Sequence, residues 1–139
     1  ILPMGADHIL FILGIFLLST RMRPLLWQVT MFTVAHTITL GLTTAGLIDL
    51  PDRIVEPLIA LSIAYIGFEN VFASRLHASR LFIVFGFGLL HGMGFGSALG
   101  EIGLPAADVV WALLAFNLGV EAGQILFVAG IINGNDVWM

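Results

Sequence analysis

Six polar residues stand in stretches otherwise suited to lipid: Asp7 and His8 in MGADHILFIL, His36 in FTVAHTITL, His91 in GLLHGMGFG, and Asn117 and Glu121 in FNLGVEAGQ. An ionisable side chain at mid-bilayer depth costs roughly 2.5 kcal/mol or more, so several in one short chain demand an offsetting partner. Their donor atoms suggest which one. Neutral imidazole nitrogen and carboxylate oxygen suit divalent first-row metals, and affinity order alone leaves nickel, cobalt, zinc and copper(II) all open. Cysteine is absent, which removes thiolate ligands, and the five methionines form no ladder that would line a copper(I) path. Taken singly, each of these residues also reads as interhelical glue, because membrane helices hydrogen-bond to one another through His, Asn, Gln, Ser and Thr. Their coincidence is harder to read that way.

The elements that position them follow from composition. Of 139 residues, 59% are hydrophobic and only 10% charged, against the roughly 25% charged content of a soluble domain. Mean hydropathy is +1.06. This is an integral membrane protein, all-α, with the bilayer as its first partner. Net charge is −4 and lysine is absent, which argues against nucleic acid as a partner. Clusters of Pro and charge cut the chain into about five spans, each near the roughly 20 residues a bilayer requires: 6–20, which is short, then 25–48, 54–73, 81–100 and 109–132. The connections TRMRP, DLPDR, SRLHASR and EIGLPAAD are short, so successive helices are expected to be antiparallel neighbours in one polytopic bundle, a single transmembrane domain over residues 1–139. The sequence opens on Ile1, so a leader or processed signal is expected to precede it.

Arginine sets the orientation. Arg21, Arg23, Arg75 and Arg80 fall in the first and third connections, whereas the second and fourth carry Asp49, Asp52, Glu101 and Asp108 against Arg53 alone. Positive residues stay cytoplasmic, so the N-terminus is expected outside and the C-terminus inside. His36, His91 and Glu121 then approach the midplane on three helices and are expected to share one site. Asp7, His8 and Glu56 are expected nearer the outer surface, above that layer. Asn117, Glu121 and Gln124 share a helix face, as do Thr33, His36 and Thr37. Glu56, before Pro57, also suits a helix start. Glu69 and Asn70 are expected at the cytoplasmic interface, and His77 in a solvated basic loop. Glycine recurs at 86, 88, 92, 94, 96 and 100; the Gly92/Gly96 pair predicts close helix packing, and the glycine run could also permit a local break.

The segments ADHILFILGIFLLSTR, FTVAHTITL, VEPLIALS, FGFGLLHGMGFG and FNLGVEAGQ, in this order, resemble the HupE/UreJ family of small bacterial membrane proteins, over roughly Gly5 to Val128. The resemblance implies a permease for nickel or cobalt in the bacterial cytoplasmic membrane, with Asp7, His8, His36, Glu56, His91, Asn117 and Glu121 as the motif-borne polar positions. Thr37 stands where the family more often has Ser, and Gly96 where it more often has Ala. The family usually has six spans, and no further helix is expected after Ile132. Two other classes fit the residues. One is a non-catalytic subunit, as a homo-oligomer or within a larger membrane complex. The other is an intramembrane metal-dependent hydrolase, which lacks an HExxH signature here; the expectation is that the chain is not an enzyme.

Overall fold

Residues 6–18, 22–72, 79–102 and 106–136 are described by the computed structural model. They form α1 (Ala6–Leu18), α2 (Met22–Thr44), α3 (Asp52–Phe72), α4 (Ser79–Ile102) and α5 (Ala106–Asp136). No strand occurs among the described residues, as the bilayer demands, since each backbone polar group there must be satisfied within its own helix. Arg21, Arg75 and His77 lie outside the described residues. The arginine argument for orientation therefore rests on sequence alone at those positions.

Proline and glycine mark the helix ends. Pro24 falls in the first turn of α2, where its missing N–H costs nothing. Pro51 precedes α3, and its carbonyl accepts from the amides of Ile54 at 2.8 Å and Val55 at 3.2 Å. At the other end of α2, Gly46 takes a φ of 70°. The Leu47 amide then reaches back to the Leu42 carbonyl and the Gly46 amide to that of Thr43, both at 2.9 Å. This is a Schellman termination, which needs a left-handed residue at that point and so favours glycine.

Among the described residues, four segments are long and apolar enough to cross a bilayer: Arg23–Thr44, Asp52–Phe72, Ser79–Gly96 and Asp108–Phe127. The 13 residues of α1 reach roughly 20 Å at 1.5 Å per residue, short of a hydrocarbon core of ~30 Å. Large apolar side chains such as Leu17, Phe68, Phe72, Phe82, Trp111, Leu118 and Leu126 are exposed. On a membrane bundle these face lipid.

Inside, Phe11, Ile12, Ile15 and Phe16 of α1 pack on Leu25, Val29 and Phe32 of α2, Ile66 of α3 and Val84 of α4. Lipid tails are as apolar as these side chains, so close fit and interhelical hydrogen bonds hold such a bundle together rather than flight from water. The closest fit joins α2 to α4. A Cβ added at Gly88 would stand 2.5 Å from the Phe32 carbonyl oxygen, and one at Gly92 or Gly96 would run into Thr39 or Thr43. The Thr39 hydroxyl donates across this seam to the Leu89 carbonyl at 2.8 Å. Helix α4 is unbroken from Ser79 to Ile102; its glycines serve contact, not unwinding.

One charge expected in a loop lies inside. Arg80 is 1% exposed; its Nε donates to Gln28 Oε1 at 2.9 Å, and Nη1 pairs with Glu69 Oε2 at 3.0 Å. Glu69 is thereby drawn from the interface into a tie among α2, α3 and α4. Asn70 likewise turns inward, donating from Nδ2 to the Gly14 carbonyl at 2.7 Å.

Candidate metal centre

Three helices each deliver one imidazole to the same place. His8 of α1, His36 of α2 and His91 of α4 are 8%, 1% and 1% exposed. The His8 ring stands edge-on to both others, with centroids 5.1 Å from His36 and 5.2 Å from His91. His8 therefore meets the two mid-span histidines, where the sequence grouped it with Asp7 and Glu56 in a separate outer layer. Asp7, His8 and His91 can each offer one donor atom such that all three lie within 4.8 Å of one another. Phe11, Phe32 and Phe95 pack against these rings and exclude polar competitors.

The hydrogen bonds around the centre orient its lone pairs. Asp7 Oδ1 lies 3.1 Å from His8 Nδ1, so a carboxylate there accepts the Nδ1 proton and leaves His8 Nε2 bare. The Ser62 hydroxyl donates to the Ile59 carbonyl at 2.7 Å. Its oxygen, 3.1 Å from His91 Nε2, must then accept from that nitrogen, which leaves Nδ1 bare. His8 Nε2, His91 Nδ1 and both nitrogens of His36 are buried without a hydrogen-bond partner. An outer partner fixing the tautomer of each ring is how metal-binding histidines are usually held. The role of Ser62 toward His91 depends on α3 meeting α4, which no spacing within α3 discloses.

A cavity of about 480 Å³ opens beside His8, lined by Ile9 and Ile12 of α1, Phe95 of α4, and Phe116, Gly123 and Gln124 of α5, among others. It links the centre to the α1/α5 side of the bundle.

Glu121 does not join the histidines. It accepts from Thr30 Oγ1 at 3.2 Å and, with Asn117, lines a separate groove of about 320 Å³ between α2 and α5. At about 100° per residue, His36 sits roughly a quarter-turn from the Thr30, Thr33 and Thr37 stripe that faces α5. Rotation about α2 separates the two. Glu56 lies exposed near the start of α3, apart from both.

Apolar helices wrapped around inward-facing polar side chains define an integral membrane protein whose chemistry lies between its spans. The chain matches the family model described as HupE / UreJ protein over residues 1–139, and it belongs to that family. The family is associated with nickel and cobalt transport and is not a known enzyme family. No curated protein and no solved structure gives a significant match.

Proposed function

We propose that this protein is a permease or membrane binding protein for a divalent transition metal, nickel or cobalt, carried as cargo by His8, His36 and His91 with Asp7 behind His8. The observation that supports it is the set of bare, buried imidazole nitrogens on three different helices. Unpaired polar atoms in an apolar interior are costly, and a metal ion is a partner that satisfies several lone pairs together; Asp7, His8 and His91 offer donor atoms within 4.8 Å of one another, and His36 lies beside them. The cavity beside His8 supplies the route in. With the N-terminus outside, as the arginine distribution argues, the ion reaches the centre from the outer face past Asp7 and His8, in the bacterial cytoplasmic membrane.

Isothermal titration of purified protein in detergent with nickel, cobalt and zinc tests this reading. The parent is expected to bind one of them saturably, and His8→Ala, His36→Ala and His91→Ala each to abolish binding. The double variant His36→Ala/His91→Ala is expected to be little worse than either single change, because ligands of one ion act as a unit. Equal binding by the parent and by the triple histidine variant would exclude the site.

A further inference from the structure

The groove between α2 and α5 is built for a different kind of ion. Its polar lining is Thr33 and Thr37 from α2 and Asn117 and Glu121 from α5, set among Val34, Ile38, Leu114 and Leu118. None of these polar side chains carries a ring nitrogen or sulfur. Moreover, both threonine hydroxyl protons and one of the two Asn117 amide protons are already given away. Thr33 Oγ1 donates to Gln124 Oε1 at 3.5 Å, Thr37 Oγ1 to the Thr33 carbonyl at 2.7 Å, and Asn117 Nδ2 to the Leu113 carbonyl at 2.7 Å. Beyond the second Asn117 amide proton, lone pairs are what remains. Asn117 is 5% exposed, and its Oδ1 is buried without any hydrogen-bond donor. A groove presenting oxygen acceptors attracts a cation rather than an anion, and oxygen donors select hard ions.

Charge decides the valence. The groove holds one carboxylate, Glu121, which itself accepts from Thr30 Oγ1 at 3.2 Å. In a low-dielectric setting a monovalent cation leaves the site neutral, whereas a divalent one leaves an uncompensated charge whose desolvation is expensive. A proton on Glu121 would neutralise the same charge and supply an O–H for Asn117 Oδ1, so saturable sodium binding is what distinguishes the two. We propose that the α2/α5 groove is a sodium site, with Glu121 and Asn117 as its principal ligands and the Thr33 and Thr37 hydroxyl oxygens completing it. It stands back to back with the histidine centre on α2, but its existence does not depend on what the histidines bind.

Binding of ²²Na⁺ to the whole purified protein in detergent tests the proposal, with choline as counter-salt and nickel titration run on the same samples. The parent should bind sodium saturably, in about one equivalent as a single carboxylate allows, displaced by unlabelled Na⁺ and not by choline. Glu121→Gln should abolish this binding, and Asn117→Leu should weaken it by at least the roughly tenfold that loss of even an outer-shell partner costs a metal site. Both variants should keep the parent's nickel response, which also shows that they fold. His91→Ala should lose nickel and keep sodium. Absence of saturable ²²Na⁺ binding in the parent would overturn the site, as would binding that survives both α5 changes or disappears with His91→Ala. Failure of the nickel titration alone would instead count against the histidine centre.

Discussion

A single hydroxyl governs which nitrogen of His91 faces the centre. Because Ser62 gives its proton to Ile59 and accepts from His91 Nε2, Ser62→Ala should free the ring to turn and to change tautomer. Loss of such an outer partner typically costs 10- to 100-fold in metal affinity, so nickel affinity by isothermal titration should fall within about that range. Stability should fall as well, by about 1–3 kcal/mol, since the change removes the hydroxyl and leaves the His91 ring N–H without its buried acceptor. An unchanged affinity would mean that Ser62 does not orient the ring. The histidines themselves were legible in the sequence, because an ionisable side chain among leucines and phenylalanines is expensive enough to announce itself. Ser62 was not. Serine is common interhelical glue, and only the approach of α3 to α4 distinguishes this one. Glu121 was legible as a carboxylate among apolar residues but not as to partner: it meets Thr30 rather than the histidines, because rotation of one helix against another depends on packing.

Among the elements, α4 is where glycine spacing acquires meaning. Gly88, Gly92 and Gly96 recur every fourth residue along one face and touch the α2 backbone or its threonines, while nothing lies within 4 Å of a Cβ at Gly86. Gly92→Ala should therefore lower stability by about the 1–3 kcal/mol typical of overpacking. Gly86→Ala, on the same helix, should be neutral or stabilise by up to about 1 kcal/mol through helix propensity. Thermal unfolding in detergent, followed by loss of the monodisperse peak, separates them; equal melting of the two variants would refute the seam. The sequence exposed the Gly92/Gly96 pair, but which of six glycines touches a neighbour is a question of facing. Arg80 carries the same lesson. A helix boundary placed one residue away makes it a loop charge, and with α4 beginning at Ser79 it becomes a buried cation tying three helices. Removing it strands Glu69. Arg80→Met should cost about 3–5 kcal/mol, and Arg80→Met/Glu69→Leu should recover most of that, because a buried pair replaced whole by apolar groups is often neutral. A double variant as unstable as the single one would show that the pair itself holds the helices.

At the scale of the whole molecule, apolar side chains on the outer faces of all five helices and four segments of spanning length put the bundle in a bilayer. Which end faces out is testable at the α2–α3 connection. Asp49 is exposed there, and the native chain has no cysteine to interfere. Asp49→Cys should react with a membrane-impermeant maleimide in intact cells. Labelling only after lysis would invert the orientation and, with it, the face from which the ion arrives.

The glycine seam also acts on the centre from a distance. His36 and His91 ride on two backbones so close that a methyl group cannot be slipped between them, and their separation is held like the fixed jaw of a caliper. His8 is the sliding jaw. It is carried by α1, whose position is set elsewhere, by Gly14 against Ile66 and by the Asn70 bond to the Gly14 carbonyl. If the proposed centre holds a metal, an ion of larger or smaller radius would be met by shifting α1, and the gauge of the opening would be written in residues that never touch the ion.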